Sequence, residues 1–257
     1  MHYASVENLT KSLGARVLFR DVTFHISEGD KIALIARNGY GKSTLLHLLA
    51  GKDQPDEGRI WIHKDIQLVL LKQEDEWEET LTVREQLFAS PHPIVKLVRT
   101  YEEFVESGQQ DPLRLQELLN QMEEQQAWHV EQKLQQILSR LRIHQMQQRI
   151  AHLSGGQRKR LALAQALLET ELYEGHCLLM LDEPTNHLDV EMIEWLEQYL
   201  STQKTTLLMV THDRYFLDEV CNEIIEMDQE RIYIHQGDYA HYLEQKAHRQ
   251  DVNQSEW

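Results

Sequence analysis

The feature that most constrains this chain is a run of apolar residues that leads directly into a glycine-rich loop and then into a helix. Residues 31–36 read KIALIA, the loop follows, and a helix is predicted over 42–50. An apolar strand joined to a helix in this way is typical of a sheet covered by helices. After residue 153 the alternation returns, with strands predicted at 177–181 and 206–210. The chain is therefore predicted to have an α/β fold.

The middle of the chain breaks this alternation. Residues 81–150 are helical in character, with interruptions predicted around His92 and at 108–112. Residues 5–27 predict two short strands around a turn at Gly14. We therefore expect a mixed-sheet core, an antiparallel β subdomain and an inserted helical subdomain.

Composition excludes several classes of protein. The chain has 26 Lys and Arg against 42 Asp and Glu, a formal net charge of -16, so no long-range field attracts it to nucleic acid or to an anionic membrane. No stretch approaches the roughly 20 apolar residues of a membrane span, so we expect no membrane insertion. The two cysteines, Cys177 and Cys221, lie in apolar surroundings and indicate reduced core residues of a cytoplasmic protein.

The glycine loop reads ARNGYGKST and lies between a predicted strand and a predicted helix, the context of a phosphate-binding loop. Gly39 and Gly41 let backbone N–H groups converge on phosphate oxygens, next to the positive end of the helix. Lys42 is expected to hold the β- and γ-phosphates. Ser43 offers a hydroxyl oxygen to Mg²⁺, and Thr44 is expected to support the helix start.

Two carboxylates follow the apolar run CLLMLD, at the edge of the sheet where such folds bind ligands. Asp182 is expected to bind magnesium through water, and Glu183 to orient or deprotonate the attacking water. Gln73, at the end of another predicted strand, is a candidate for the same metal or water. His212 follows the strand TLLMV, where an imidazole can contact the γ-phosphate, although it is one of 14 histidines.

The segment LSGGQ opens a further predicted helix. Ser154 is a candidate N-cap, and the glycines after it leave backbone N–H groups uncovered. Taken alone, the segment is either an ordinary helix cap or a second anion site.

The ordered set ARNGYGKST, Gln73, LSGGQRKRLALAQALL, LLMLDEPTNHLD and VTHDRYFLDEV resembles the ATP-binding cassette family over nearly the whole chain. The resemblance implies a P-loop NTPase cassette that uses ATP and Mg²⁺, with Glu183, His212 and Gln73 as catalytic residues and Ser43, Gln73 and Asp182 at the metal. It implies these cofactor-binding residues: Asn38, Gly39, Gly41, Lys42, Ser43, Thr44, Ser154, Gly155, Gly156, Gln157 and Asp189. It also implies head-to-tail pairing, in which a second cassette supplies the signature Ser154–Gln157 to each ATP.

Within that family, EPTNHLD, THDRYFLD and the ending GDYAHYLEQKAHR resemble the ABC-F group, whose members carry two cassettes in one chain. The resemblance implies that this is the first cassette of a longer protein, paired within that protein or as a homodimer, with the ribosome and its RNA as partners. The expected divisions are an ATP-binding core at 1–78, which contains the antiparallel β subdomain, and at 153–238, a helical subdomain with an arm-like insertion at 79–152, and the start of a linker helix at 239–257.

Two departures from the family pattern affect the nucleotide site. Ala36 stands where a glycine is usual, and alanine is comfortable there only if its φ is negative. Leu13 stands where an aromatic residue usually stacks on adenine, so stacking is lost or is supplied by another ring such as Tyr3.

Other functions share the same cassette chemistry. One is the ATPase subunit of a membrane transporter, which the glutamine-rich insertion and the linker-like ending disfavour. Another is the ATPase head of a DNA-repair or chromosome-organising protein, which needs long coiled coils. A third is a nucleotide-binding module without turnover, suggested by Ala36 and Leu13.

The helical insertion has nearly balanced charge. Between Arg84 and Arg149 there are 8 Lys and Arg against 9 Asp and Glu, so the insertion lacks the basic stripe typical of RNA binding.

Overall fold

The computed structural model describes residues 1–36, 39–71, 77–173 and 176–255. The chain divides into two compact units. The first comprises Met1–Leu70, Gly175–Thr185 and Asp189–Trp257, and the second comprises Leu71–Glu174 and Asn186–Leu188. The assignment of chain segments to an ATP-binding core, a helical subdomain and a linker stays a prediction.

The described strands all belong to the first unit. They are β1 (His2–Leu13), β2 (Arg16–Ser27), β3 (Lys31–Ala36), β4 (Glu57–Ile62), β5 (Gln67–Leu70), β6 (Cys177–Asp182), β7 (Thr206–Val210), β8 (Glu223–Asp228) and β9 (Arg231–Gln236). One sheet has three strands in the order β2-β1-β4 and is antiparallel. The other has six strands in the order β5-β6-β7-β3-β8-β9 and is parallel except for the β8–β9 pair.

The described helices are α1 (Lys42–Leu49), α2 (Val83–Leu87), α3 (Pro93–Ser107), α4 (Pro112–Glu124), α5 (Ala127–Arg140), α6 (Gly155–Leu172), α7 (Val190–Thr202), α8 (Arg214–Val220) and α9 (Tyr239–Ser255). Helices α2 to α6 form the second unit, and the others belong to the first. With its mixed sheet, antiparallel sheet and inserted helices, the chain has the predicted fold class.

The burial of each strand follows its sequence. Strand β7 is buried at every position and β6 at all but its last, as expected for central strands covered on both faces. Strand β2 alternates between exposed and buried positions over much of its length, because one face of its antiparallel sheet meets solvent. Helix α1 turns four buried leucines into a core that it shares with residues of both sheets.

Parallel pairing aligns the strand ends where the functional residues lie. Leu34 of β3 pairs with Val210 of β7, and Val210 also pairs with Asp182 of β6. Three chain segments therefore leave the sheet at the same edge: the glycine loop, the Asp182–Glu183 pair and the segment that starts with Thr211. This edge is where open α/β sheets bind ligands.

Two helices of the second unit, α3 and α4, begin or end at the predicted signals, whereas the break between α4 and α5 at Gln126 was not predicted. Helix α3 begins at Pro93 after the cap His92 and ends at Gly108, which adopts a left-handed conformation with φ of 63°. Helix α4 then begins at Pro112 after the cap Asp111, whose side chain accepts a hydrogen bond from a backbone N–H. The predicted interruptions around residues 92 and 108–112 are therefore confirmed.

The structure also describes the lengths of the apolar helices and the surroundings of the two cysteines. Within the described ranges, no helix is both long and apolar enough to cross a membrane. Cys177 and Cys221 are buried and form no disulfide, and burial raises the pKa of the Cys221 thiol to about 12. At that pKa the thiol stays protonated and unreactive in the folded chain.

Gly58 lies where β4 meets an irregular stretch of β1, so a substitution there can test the packing of the antiparallel sheet. Its φ is 87°, and an added Cβ would lie 2.3 Å from the backbone oxygen of Asn8. Gly51 also has a positive φ, of 71°, but an added Cβ there would meet nothing within 4 Å.

We predict that Gly58→Ala lowers the free energy of unfolding by about 2–4 kcal/mol, because strain and a backbone collision add together. Gly51→Ala should cost only about 1 kcal/mol, from strain alone. Urea unfolding followed by circular dichroism measures both variants. Equal losses in the two variants would contradict the packing described for Gly58.

Candidate functional site

The glycine loop ends at Gly41, which precedes α1 and adopts a left-handed conformation with φ of 87°. An added Cβ at this position would lie 3.0 Å from Leu18 Cβ and 3.2 Å from Phe19 Cε1, so the backbone approaches β2 too closely for a side chain. Among the residues that the structure describes, no side chain caps α1, so its first N–H groups are available to an anion. The loop thus fits a phosphate group.

Lys42 and Ser43, the first residues of α1, point polar groups at the same edge of the sheet. Lys42 Nζ donates to the Ala36 carbonyl at 2.8 Å and lies 3.4 Å from His212 Nε2. Ser43 Oγ donates to Asp182 Oδ2 at 2.5 Å. A hydroxyl and a carboxylate oxygen are thereby brought together, and these are the hard oxygen ligands that Mg²⁺ prefers. The donor set fits a magnesium ion.

Glu183 leaves the sheet in a conformation that is rare for a residue with a side chain. Its φ is 49°, and its N–H donates to the Val210 carbonyl at 2.8 Å. Its carboxylate lies 3.2 Å from His212 Nε2 and accepts a 3.4 Å bond from the His212 N–H. Backbone strain of this kind is found at functional sites, where surrounding contacts maintain it.

Burial changes the acidity of the two central charged groups in opposite directions. Burial lowers the pKa of the Lys42 ammonium, and the carboxylates of Glu183 and Asp182 oppose that shift. Burial also raises the pKa of the Glu183 carboxyl, while His212 opposes that shift. A carboxyl whose pKa is raised is a stronger base than an exposed one, which suits a residue that accepts a proton.

These side chains surround one cleft of about 390 Å³ in the first unit. Its lining contains Leu13, Leu18, Gly39, Gly41, Lys42, Ser43, Thr44, Asp182, Glu183 and His212. Eight of the residues predicted for ATP, metal or catalysis therefore meet in a single cavity. Asn38 and Gln73 lie outside the described residues, and their predicted roles stay predictions.

Two expectations about departures from the family pattern have clear outcomes. Ala36 is the last residue of β3 and pairs with Met227 of β8, so it has ordinary strand conformation and an alanine costs nothing there. The proposal that Tyr3 stacks on the base is wrong, because Tyr3 is fully buried in the core. Leu13 does line the cleft, with 59% of its surface exposed.

The signature residues lie in the second unit, at the start of α6. Ser154 Oγ accepts from the Gln157 N–H at 3.2 Å, and the Gln157 side chain accepts from the Ser154 N–H at 2.9 Å. The two form a capping box, so the interpretation of LSGGQ as a helix cap is confirmed. Gly155 and Gly156 form the first turn of the helix. Binding of an anion there stays a prediction.

Asp189 has a structural role that the sequence analysis did not state. It is the N-cap of α7, and its side chain accepts from the Met192 N–H at 3.0 Å. Helix capping alone is enough to explain an aspartate at this position, even if it contacts no ligand. Its predicted role in cofactor binding stays a prediction.

Arg16 is a neighbour of the glycine loop that sequence reasoning missed. Its guanidinium lies over the Tyr40 ring at 5.7 Å, and an added Cβ on Gly39 would be 3.4 Å from Arg16 Nη1. Arg16 pairs with Leu13 across the turn between β1 and β2. Only that register brings the cation to the loop, and the sequence carries no signal for it.

Comparison with known proteins agrees with this geometry. A family model described as ABC transporter matches residues 19–186. The energy-dependent translational throttle protein EttA of Mycobacterium tuberculosis is 38% identical over 253 residues, 95% of this chain and 44% of that protein. ABC transporter F family member 2 of Arabidopsis thaliana is 31% identical over 265 residues, 98% of this chain and 38% of that protein.

Solved structures agree with the fold. A bacterial ABC transporter cassette, solved as a dimer, has a TM-score of 0.64 to this chain at 20% identity, and the match covers 91% of this chain and 98% of that one. The chain spans less than half the length of the two relatives described above. The chain belongs to the ABC transporter family as an ATP-binding cassette, and its relatives include members of the family's F group.

Proposed function

We propose that this cassette binds ATP with Mg²⁺ and hydrolyses it when paired with a second cassette. The observation that carries the proposal is the meeting of Lys42, Ser43, Asp182, Glu183 and His212 in one cleft. Phosphoryl transfer to water uses groups of these kinds: a cation for the phosphates, oxygen ligands for the metal, a carboxyl that can accept a proton, and a side chain that contacts the γ-phosphate.

Each group has a defined task in this proposal. Lys42 and the first N–H groups of α1 bind the phosphates, and Ser43 and Asp182 hold the magnesium, Asp182 through water. When bound, Mg²⁺ supplies positive charge that offsets the charge of the phosphate oxygens. Glu183 orients the attacking water or accepts its proton, and His212 contacts the γ-phosphate.

The second cassette completes the site in this account. Ser154, Gly155, Gly156, Gln157 and Asp189 are then presented to the ATP held by the partner. A cassette of the same fold has been solved as a dimer, which supports pairing. The chain covers 44% and 38% of its two relatives, so the partner cassette is either in the same parent chain or in a second copy of this one.

We further propose that the parent protein acts in the cytoplasm on the ribosome. One relative is a translational throttle protein, and another is a member of the F group. The hairpin of α3 and α4 is the candidate arm, and Leu113 near its turn is 85% exposed. Because the helical segment carries balanced charge, RNA contact would be local rather than driven by a basic surface.

Hydrolysis is tested by steady-state ATPase assays over a range of protein concentrations. We predict that activity per chain rises with concentration, because two cassettes share each site. Glu183→Gln should lower kcat by about a hundredfold or more while ATP binding persists, because the group that activates water is lost. Undiminished turnover by Glu183→Gln would exclude Glu183 from that role.

The ribosomal role is tested by co-sedimentation of the full-length parent protein with ribosomes. We predict that the Glu183→Gln form pellets with ribosomes in ATP and is released in ADP, because it holds the ATP-bound state. A Lys42→Ala form, which cannot hold ATP, is the matched control. Absence of sedimentation with ATP, together with recovery of a membrane permease by affinity purification, would instead favour a transporter subunit.

Leu13 provides a test of where the base lies. We predict that Leu13→Tyr tightens ATP binding by about 1 kcal/mol or more, roughly fivefold, because an exposed ring at the cleft can stack on adenine. Leu13→Ala should leave the affinity within about twofold, which isolates the effect of the ring. Isothermal titration calorimetry measures both, and equal affinities for the two variants would place adenine elsewhere.

A further inference from the structure

Two segments that carry the resemblance to the ABC-F group contact each other in the first unit. The THDRYFLD segment contains α8, and the closing segment contains the start of α9. The Arg214 guanidinium lies over the Tyr239 ring at 5.1 Å. The Tyr239 N–H donates to Asp218 Oδ1 at 2.7 Å. The first residue of α9 therefore contacts both the start and the middle of α8.

Helix α9 is in turn fixed to the six-stranded sheet. Glu226 of β8 is 3% exposed and accepts hydrogen bonds from the Tyr242 hydroxyl at 2.9 Å and from Lys246 Nζ at 2.5 Å. A buried carboxylate that receives two such bonds is costly to disturb, because losing either donor leaves it poorly solvated. The contact of Tyr239 with α8 thus has a rigid support.

His212 depends on α8 for its position. Its side chain is 58% exposed, and its Nε2 lies 3.2 Å from the Glu183 carboxylate and 3.4 Å from Lys42 Nζ. The next residue, Asp213, caps α8 by accepting from the N–H groups of Tyr215 and Phe216. Any shift of the first turn of α8 therefore moves the backbone of His212.

The space beside this segment is open. A cavity of about 430 Å³ has among its lining residues His212, Asp213, Arg214, Tyr239, Tyr242 and Lys246. On this side the segment from His212 to Arg214 lines that cavity. The contacts to Tyr239 bridge α8 and α9 beside the cavity.

We infer that Tyr239, Arg214 and Asp218 are positioning residues that hold α8, and with it His212, in place for the γ-phosphate. The inference rests on the proposed role of His212 and extends it to α9. Because coupling between two sites is reciprocal, ATP in the cleft stabilises the contacts between α9 and α8. Those contacts in turn stabilise the position of His212 that binds ATP productively. The cassette thereby transmits its nucleotide state to the chain that follows residue 239.

Hydrogen–deuterium exchange of the 257-residue chain tests the linkage without requiring turnover. In the Glu183→Gln background, ATP with Mg²⁺ should slow exchange in residues 206–220 and also in residues 239–247. Tyr239→Ala removes the ring beneath Arg214 but keeps the backbone bond to Asp218, so it should weaken the effect on 239–247. Tyr239→Phe keeps the ring and should behave like the parent.

Kinetics with Glu183 intact provide the second readout. Tyr239→Ala and Asp218→Ala should lower kcat about tenfold with KM for ATP within about twofold, as expected when a catalytic group is misplaced but ground-state binding persists. Asp218→Asn retains an acceptor for the Tyr239 N–H and should restore most of the rate. Arg20→Ala removes an exposed ion pair with Glu230 elsewhere in the same unit and is the control for loss of a surface contact.

The inference is overturned if Tyr239→Ala keeps the parent's ATP-dependent protection in both segments, or if ATP protects neither segment in the parent. It is also overturned if the variants raise KM and leave kcat unchanged, since that pattern indicates lost binding. Linked protection in the Glu183→Gln form, together with no hydrolysis by the chain with Glu183 intact, would contradict the proposed ATPase activity and leave the positioning role standing. The two failures are therefore distinguishable.

Discussion

The site depends on the parallel pairing of β3, β7 and β6. This register places the end of each strand at one edge, so that Lys42, Asp182 and His212 meet although they are 170 residues apart at most. Only strands that tolerate burial on both faces can occupy these central positions. The apolar runs in the sequence therefore do two things: they build the core, and they deliver polar residues to its rim.

Charged side chains of both signs lie together at this edge of the sheet. Lys42 and Glu183 lie close together beside Asp182, and both Lys42 and Glu183 are partly removed from water. Burial disfavours the charged form of Lys42 and of Glu183 alike. Phosphate groups and a magnesium ion would add charges of both signs to this cluster. Binding of the nucleotide with its metal is thus expected to stabilise the site more than either one alone.

Sequence reasoning predicted the elements that repeat a strong local pattern. The central strands, the glycine loop and the breaks at His92 and Gly108 all carry their own signals. Contacts set by register were beyond it. The approach of Arg16 to Gly39, the burial of Tyr3 and the meeting of Tyr239 with Arg214 depend on how distant segments align. The left-handed turn at Glu183 was also not predictable, because glutamate has no local preference for it.

In the proposed function each ATP site is shared by two cassettes, and mixing two inactive variants can reveal this sharing. Lys42→Ala removes the phosphate contact but keeps the signature, and Ser154→Arg blocks the signature but keeps the phosphate loop. Neither variant alone can form a complete site, whereas a mixed pair has one. We expect ATPase activity in the mixture and none in either variant alone. A mixture as inactive as its components, measured where the unchanged chain is active, would contradict the shared site.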